Sequence, residues 1–247
     1  MVSIITPSYN SSRFITYTIE SVISQTYTDW EMIIVDDCSK DNSVDVIKQY
    51  LKKDTRIKLV ILEKNIGAAE ARNVALRQAK GRYIAFLDSD DLWMPSKLEI
   101  QLEFMKKQKC AFSFSSYELI SETGDNLQHI IRVPDTISYK QYLRNTIIGC
   151  LTVIIDKEET GNFEMPNIKS SHDMALWLLI LKKGFKAYGI NIVLAQYRLV
   201  TTSNTAQKSK AAKDVWRVYR NIEKLSLLYS AFNFVMYAVN ATIKRIR

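Results

Sequence analysis

Over the first ninety residues, apolar positions gather into short runs separated by polar loops and by segments with helical spacing. Val2 to Thr6, Glu31 to Val35, Ile57 to Leu62 and Tyr83 to Leu87 are rich in β-branched and aromatic side chains, which predicts four strands. Their apolar character is nearly continuous rather than alternating, so both faces should be covered. Between them, Phe14, Ile15, Ile19, Val22 and Ile23 recur at helical spacing behind Ser11 or Ser12 as a cap. Val44, Ile47 and Leu51 mark a second helix, and Ala68 to Ala79 a third, with Gly81 as its stop. Alternation of this kind predicts an α/β domain with a mostly parallel sheet, right-handed crossovers and helices on both faces.

The second half is less regular. Strands are expected at Ala111 to Ser116, Gln128 to Val133 and Leu151 to Ile155, and a helix from His172 to Lys182. Residues 1–204 then form one domain with halves at 1–110 and 111–204, followed by a tail at 205–247. In the tail, Lys210, Lys213, Arg217, Arg220 and Lys224 form a basic helical stripe. Leu225 to Ile243 carries no charge, and its polar residues Ser226, Ser230, Asn233, Tyr237 and Asn240 keep the same spacing, continuing to Lys244 and Arg247. These C-terminal amphipathic helices admit three placements: flat on a membrane, packed on protein, or spanning a bilayer.

Charge sharpens that picture. Net charge is +8, and from Thr205 onward nine basic residues face only Asp214 and Glu223, so the body is nearly neutral. A basic tail on a neutral body argues against nucleic acid held by the main domain and for an anionic membrane surface met by the tail. Cys38, Cys110 and Cys150 are odd in number and widely spaced, as expected for reduced thiols in the cytoplasm. The N-terminus enters a strand at once, without the basic region or cleavage site of a secretory signal. Oligomeric state is open, a homodimer included.

Polar residues of ligand type follow each of the four strands. They are Pro7-Ser8-Tyr9-Asn10, Asp36-Asp37-Cys38-Ser39-Lys40-Asp41, Asn65-Ile66-Gly67-Ala68-Ala69-Glu70-Ala71-Arg72-Asn73, and Asp88-Ser89-Asp90-Asp91. In open α/β sheets this edge binds ligands. Tyr9 offers a ring for base stacking, or is a core tyrosine; Asp37 can accept from a uracil N–H edge or a ribose hydroxyl. Asn65 and Gly67 stand at a helix start, where backbone N–H groups meet phosphate. Arg72 suits a phosphate, or an ordinary ion pair with Glu70. The three carboxylates of the fourth loop either share a divalent cation on a diphosphate or form a solvated turn before a helix near Pro95.

These four segments, in this order and spacing, resemble the inverting family 2 glycosyltransferases. Later segments, His172-Asp173-Met174-Ala175-Leu176-Trp177-Leu178 and Tyr197-Arg198, are similar to members that build bacterial capsule, teichuronic acid and other cell-surface polysaccharides. The resemblance covers most of residues 1–204 and implies a Rossmann-like A-type nucleotide-diphospho-sugar fold. It implies that Pro7, Tyr9 and Asp37 hold the nucleoside of a UDP-sugar, that Arg72 and Asp88 contact the nucleotide, and that Asp90 coordinates Mn²⁺ or Mg²⁺ on the diphosphate. Asp173 matches the general base that takes the proton of the acceptor hydroxyl. The implied acceptor is a saccharide or a polyprenyl-diphosphate-linked glycan, at the inner face of the plasma membrane. Its specificity pocket is expected between Ser115 and Met165.

Two departures stand out. His172 occupies the position where the family's commoner pattern has Glu, and Asp173 also suits a helix N-terminus behind Ser171 as a cap. A Gln-x-x-Arg-Trp segment of processive members is absent, and Gln196-Tyr197-Arg198 does not replace it, so one sugar per encounter is expected. A receiver-type signalling domain would place its acidic pair after its first strand. A nucleotidyltransferase would carry a Gly-rich basic loop after the first strand. A non-catalytic partner subunit with this fold is a further alternative, although it would more readily have lost Asp90 or Asp173.

Overall fold

The computed structural model describes residues 1–200 and 208–246, with side chains described for 1–200 and 212–241. The elements in chain order are β1 (Val2–Ser8), α1 (Ile15–Ile23), β2 (Trp30–Asp36), α2 (Ser43–Leu51), β3 (Ile57–Ile61), α3 (Ala68–Gln78) and β4 (Tyr83–Phe86). Then come β5 (Leu92–Trp93), α4 (Lys97–Gln108), β6 (Phe112–Ile120), β7 (Asn126–Ile131), β8 (Thr136–Ile137), α5 (Tyr139–Arg144) and β9 (Ile154–Asp156). The chain closes with α6 (Lys157–Thr160), α7 (His172–Lys182), β10 (Ala187–Arg198), α8 (Lys208–Arg217) and α9 (Leu227–Ile246).

The ten strands form one sheet in the order β3-β2-β1-β4-β9-β6-β10-β5, with β7 on β6 and β8 on β10. Strands β1 to β4 are mutually parallel, and β6 and β10 are parallel to each other. Because short β9 pairs antiparallel with both β4 and β6, strands β1 to β4, β6 and β10 all run the same way, with β7 antiparallel on β6. Their C-terminal ends therefore share one edge. Successive residues point to opposite faces: Ile5, Ile33, Val35, Ile84 and Phe86 join one apolar cluster with α3 and α7, while Ile4, Met32, Ile34, Ala85 and Leu87 join another with α1 and α4. This is the two-sided burial expected from continuous apolar strands.

Several local expectations change. No serine hydroxyl caps α1: the Ser11 carbonyl accepts from Phe14 and Ile15 N–H, its side chain bonds Ser8, and Ile23 is exposed. Gly81 is not a helix stop, since α3 ends at Ala79 in an extended conformation. Its role is close approach, because a Cβ there would lie 2.7 Å from the Ser3 nitrogen. The strand expected from Leu151 is a short 3₁₀ turn at Cys150–Thr152 followed by β9. A strand, β5, intervenes before α4, so the acidic loop does not cap that helix.

The tail is two helices broken at Lys224 (φ 53°). Its polar stripe faces inward: Ser230 and Asn233 are fully buried, Asn233 Oδ1 accepts from Arg144 Nε, and Asn240 Nδ2 donates to the Arg144 carbonyl. Buried Glu223 pairs with Lys182 at 3.0 Å. The outward face carries Leu227, Leu228, Phe232, Val235 and Val239, all exposed. Of the basic stripe, Lys213, Arg217 and Lys224 are exposed, while Arg220 donates to the Leu225 carbonyl. Lys210, Lys244 and Arg247, and the boundary at Thr205, lie outside the described side chains or residues. Among the described residues, no helix is long and apolar enough to cross a membrane.

Lys97 is fully buried under the sheet, donating to Gln101 Oε1 and the Thr152 carbonyl, and burial lowers its ammonium to about 7 from an ordinary 10.5. Between those values only the unfolded chain holds the proton, so this group's contribution to stability rises with pH and is flat below about 7. Urea unfolding from pH 7.5 to 10 should show wild type gaining on Lys97→Met by about 1.4 kcal/mol per pH unit. A pH-independent difference would mean that the amine stays charged when buried.

Candidate functional site

At the C-terminal edge, the loops after β1 and β2 are stitched together by short polar side chains. Buried Asp36 accepts from Ser39 N–H at 2.9 Å and Ser39 Oγ at 2.6 Å, while Asn10 N–H donates to Ser39 Oγ at 2.9 Å. Asp41 accepts from Ser12 and Ser43, and these bonds hold its carboxyl down at about 2 against the opposing effect of burial. Pro7 is half-buried at the end of β1, and the Tyr9 ring just beyond it is 50% exposed, so it is not a core tyrosine.

Asp37 is buried, and its two oxygens accept from Ile66 N–H at 2.7 Å and Gly67 N–H at 2.8 Å. Asn65 Nδ2 donates to the Asp37 carbonyl at 3.1 Å. The Ile66 and Gly67 amides before α3 are thus held by a carboxylate of the protein, close to where phosphate contacts were expected of Asn65 and Gly67. Gly67 meets this contact with φ 86°, a conformation that side chains disfavour. Each carboxylate oxygen keeps a second lone pair for an incoming donor.

Arg72 is 4% exposed and projects from α3 into the centre of the edge. Its Nη2 donates to Asp88 Oδ1, and its Nη1 lies 2.6 Å from His172 Nε2. The alternative pairing with Glu70 is not adopted, because Glu70 pairs with Arg77. Burial and then the neighbouring Arg72 charge lower the His172 pKa, so the ring is neutral and Nε2 accepts. The Asp88 and Asp173 charges, with the Asp88 hydrogen bond, raise the Arg72 pKa against the larger penalty of burial. Arg72 Nε and His172 Nδ1 are buried without hydrogen-bond partners. Asp173, half-buried in the first turn of α7, completes the group. Ser171 occupies the cap position in a left-handed conformation but makes no side-chain cap bond.

The rest of the acidic loop is short of positive charge. Burial, then Asp88, raises Asp90 to about 6, while burial and then Asp90 push Asp91 well above the usual carboxylate range. Arg198, at the end of β10, donates through Nε to the Asp90 carbonyl at 2.8 Å and through its backbone N–H to Asp91 Oδ1 at 2.9 Å. Its guanidinium otherwise serves the Ser121 and Glu122 carbonyls and lies over Phe14. Among the described residues, no cation bonds the carboxylate of Asp90 or Asp91 directly. Among the described residues, no three His, Cys, Asp or Glu side chains form a protein-only metal cage. One or two carboxylates are nonetheless what Mg²⁺ or Mn²⁺ uses when phosphates supply the remaining ligands, so Asp90 fits such a cation.

The structure thus brings Arg72, Asp88 and Asp173 together, places Asp90 in the same loop, and sets Pro7, Tyr9 and Asp37 along the same edge. Sequence reasoning gave Asp91 only a share of the cation or a place in a turn, left His172 without a settled role, and gave Arg198 none. A buried acid beside two others calls for a distant partner, but nothing local could point to Arg198, 107 residues from Asp91.

Comparison with known proteins agrees with this geometry. The family model "Glycosyl transferase family 2" matches residues 3–162. A putative teichuronic acid biosynthesis glycosyltransferase of Bacillus subtilis, TuaG, is 54% identical over 246 residues, covering 100% of this chain and 98% of that protein. An Escherichia coli UDP-Glc:α-D-GlcNAc-diphosphoundecaprenol β-1,3-glucosyltransferase, WfgD, is 38% identical, covering 97% and 94% respectively. Staphylococcus aureus TarS 1–349 in complex with UDP-GlcNAc superposes with TM-score 0.71 at 19% identity, over 96% of this chain and 71% of that one. A mannosyltransferase from Pyrobaculum calidifontis with GDP-Man and Mn²⁺ also gives TM-score 0.71 at 16% identity, over 99% of this chain and 75% of that one. At those identities the solved structures speak to the fold, which is that of A-type glycosyltransferases. On the family match and the full-length relatives, the chain belongs to glycosyl transferase family 2.

Proposed function

We propose that the protein is an inverting, non-processive glycosyltransferase that moves one sugar from a UDP-sugar to a saccharide carried on a polyprenyl diphosphate, in cell-surface polysaccharide synthesis. The observation that carries this reading is Arg72, whose buried guanidinium joins Asp88 on the nucleotide edge to the first turn of α7, where Asp173 stands. The substrates named for the E. coli relative, and the full-length match to it, support the donor and acceptor classes.

In this reading Tyr9 stacks on the base, Asp37 accepts from base or ribose, and Asp88 and Arg72 orient the nucleotide. Asp173 takes the proton as the acceptor oxygen attacks the anomeric carbon; the new C–O bond forms as the bond to diphosphate breaks, and UDP departs with the electron pair. Neutral His172, accepting from Arg72, keeps that guanidinium from rotating toward Asp173 and neutralising the base. A divalent Mn²⁺ or Mg²⁺ held by Asp90 would offset charge on the leaving diphosphate. The protein works at the cytoplasmic face of the plasma membrane, where the apolar face of α9 and the basic tail meet anionic lipid.

Three outcomes test this reading. Asp90→Ala should lower Mn²⁺-dependent transfer or donor hydrolysis by at least about 100-fold, while relieving repulsion in the free protein; full activity would remove the metal assignment. Asp173→Asn should keep UDP binding by calorimetry within about twofold while slowing transfer by roughly 10² to 10⁴, and an active variant would dismiss the base. The pair Leu228→Asp and Val235→Asp changes side chains 84% and 61% exposed, so folding should persist while cosedimentation with anionic vesicles is lost. Unchanged sedimentation would discard the membrane face.

A further inference from the structure

A cleft of about 380 Å³ opens between the β6–β7 hairpin, the segment after α5, and α9, a volume suited to a small ligand. Tyr117 and Tyr237 give it aromatic walls, His129, Asn145 and Thr146 line it with polar groups, and Ala241 lines it from α9. The side chains of Tyr117, His129, Asn145 and Thr146 make no hydrogen bond to any described residue. Half-buried polar groups left in this state favour a ligand or water that completes them. Among the described residues, no Lys, Arg, Asp or Glu lines the cleft. Aromatic faces beside an amide, a hydroxyl and an imidazole suit the apolar C–H faces and hydroxyl rim of a neutral sugar, whereas a phosphate would find no fixed cation.

Position ties the cleft to the reaction centre. Since β6 and β4 run the same way, Tyr117 near the end of β6 lies on the edge that carries Asp88 to Asp91. Burial, and after it the Asp91 charge, raises the Tyr117 hydroxyl to about 12, and Tyr142 is raised by burial with lesser effects from Asp173 and Tyr117. Tyr117 thus lines the cleft and feels the charge of the loop that carries Asp91. Resting on the glycosyl-transfer reading, we infer that this cleft is the acceptor subsite, seating a neutral saccharide ring between Tyr117 and Tyr237. Helix α9 then has two functions: its inner residues Tyr237 and Ala241 wall the sugar, and its outer apolar face meets lipid.

Saturation-transfer NMR on the full chain, with UDP and the methyl glycosides of GlcNAc, glucose and galactose present together, reads both sites at once. Wild type should show signals from UDP and from at least one glycoside. Ala241→Trp, which fills the cleft, and Thr146→Val, which removes one hydroxyl at constant shape, should keep the UDP signals. Glycoside binding should fall by about tenfold or more in the first and severalfold in the second, the scale of one lost hydrogen bond. Glycoside signals absent from wild type, or unchanged in both variants, overturn the inference. Glycoside signals that follow this pattern without any UDP signal sustain the subsite and overturn the donor assignment instead. Should Ala241→Trp fail to fold, judged by circular dichroism, Thr146→Val decides alone.

Discussion

The site depends on a charge buried where solvent cannot serve it. Arg72 is 4% exposed on α3, and a guanidinium so placed persists only with close partners, which here come from the loop after β4 and the start of α7. Removing one partner of such a pair costs about 3 to 5 kcal/mol, because the other charge is left stranded. The same contacts that make Arg72 tolerable therefore set the separation between the nucleotide edge and Asp173. His172 contributes by being neutral: a second cation beside Arg72 would repel it, and burial ensures that the ring accepts rather than competes.

Around that fixed point the edge is organised by two opposite electrostatic conditions. Asp36, Asp37 and Asp41 are held by backbone amides and serine hydroxyls, which rigidify the loops after β1, β2 and β3 before any ligand arrives. Asp90 and Asp91 are the reverse, crowded and short of hydrogen-bonded cations, with Arg198 lending charge mainly from a distance. Carboxylates held by hydrogen bonds shape the edge; crowded ones are poised to gain from a cation brought with a diphosphate.

The C-terminal helix inverts an ordinary expectation. A narrow polar stripe on an apolar helix suggests polar-out packing, yet Asn233 and Asn240 turn inward to meet the guanidinium and the carbonyl of Arg144 on α5, and buried Ser230 donates back to the Ser226 carbonyl. Apolar residues are left outside by the same choice. Hydrogen bonds to Arg144, with Tyr229, Phe234 and Tyr237 packed on the core, thus fix which face of α9 is free, and they select the protein-packed placement among those the periodicity left open.

By itself the sequence determined the strand and helix alternation, the two-sided burial of β1, β2 and β4, and the delivery of Tyr9, Asp37, Arg72 and Asp88 to one edge. Those follow from short-range periodicity and from the right-handed crossover rule, which act within tens of residues. The boundaries of α7 were equally legible, since Met174 to Leu181 is a dense apolar run opened by an acidic residue. Only the tertiary structure decided that Asp37 closes on the amides of Ile66 and Gly67, that Arg72 chooses Asp88 and His172 over Glu70, that Arg198 attends Asp90 and Asp91, and that α9 walls a cleft. The hydrogen bonds among these join residues 16 to 108 apart in the chain. Their partners are selected by burial and by the cost of an unpaired polar group, quantities that exist only once the sheet has assembled.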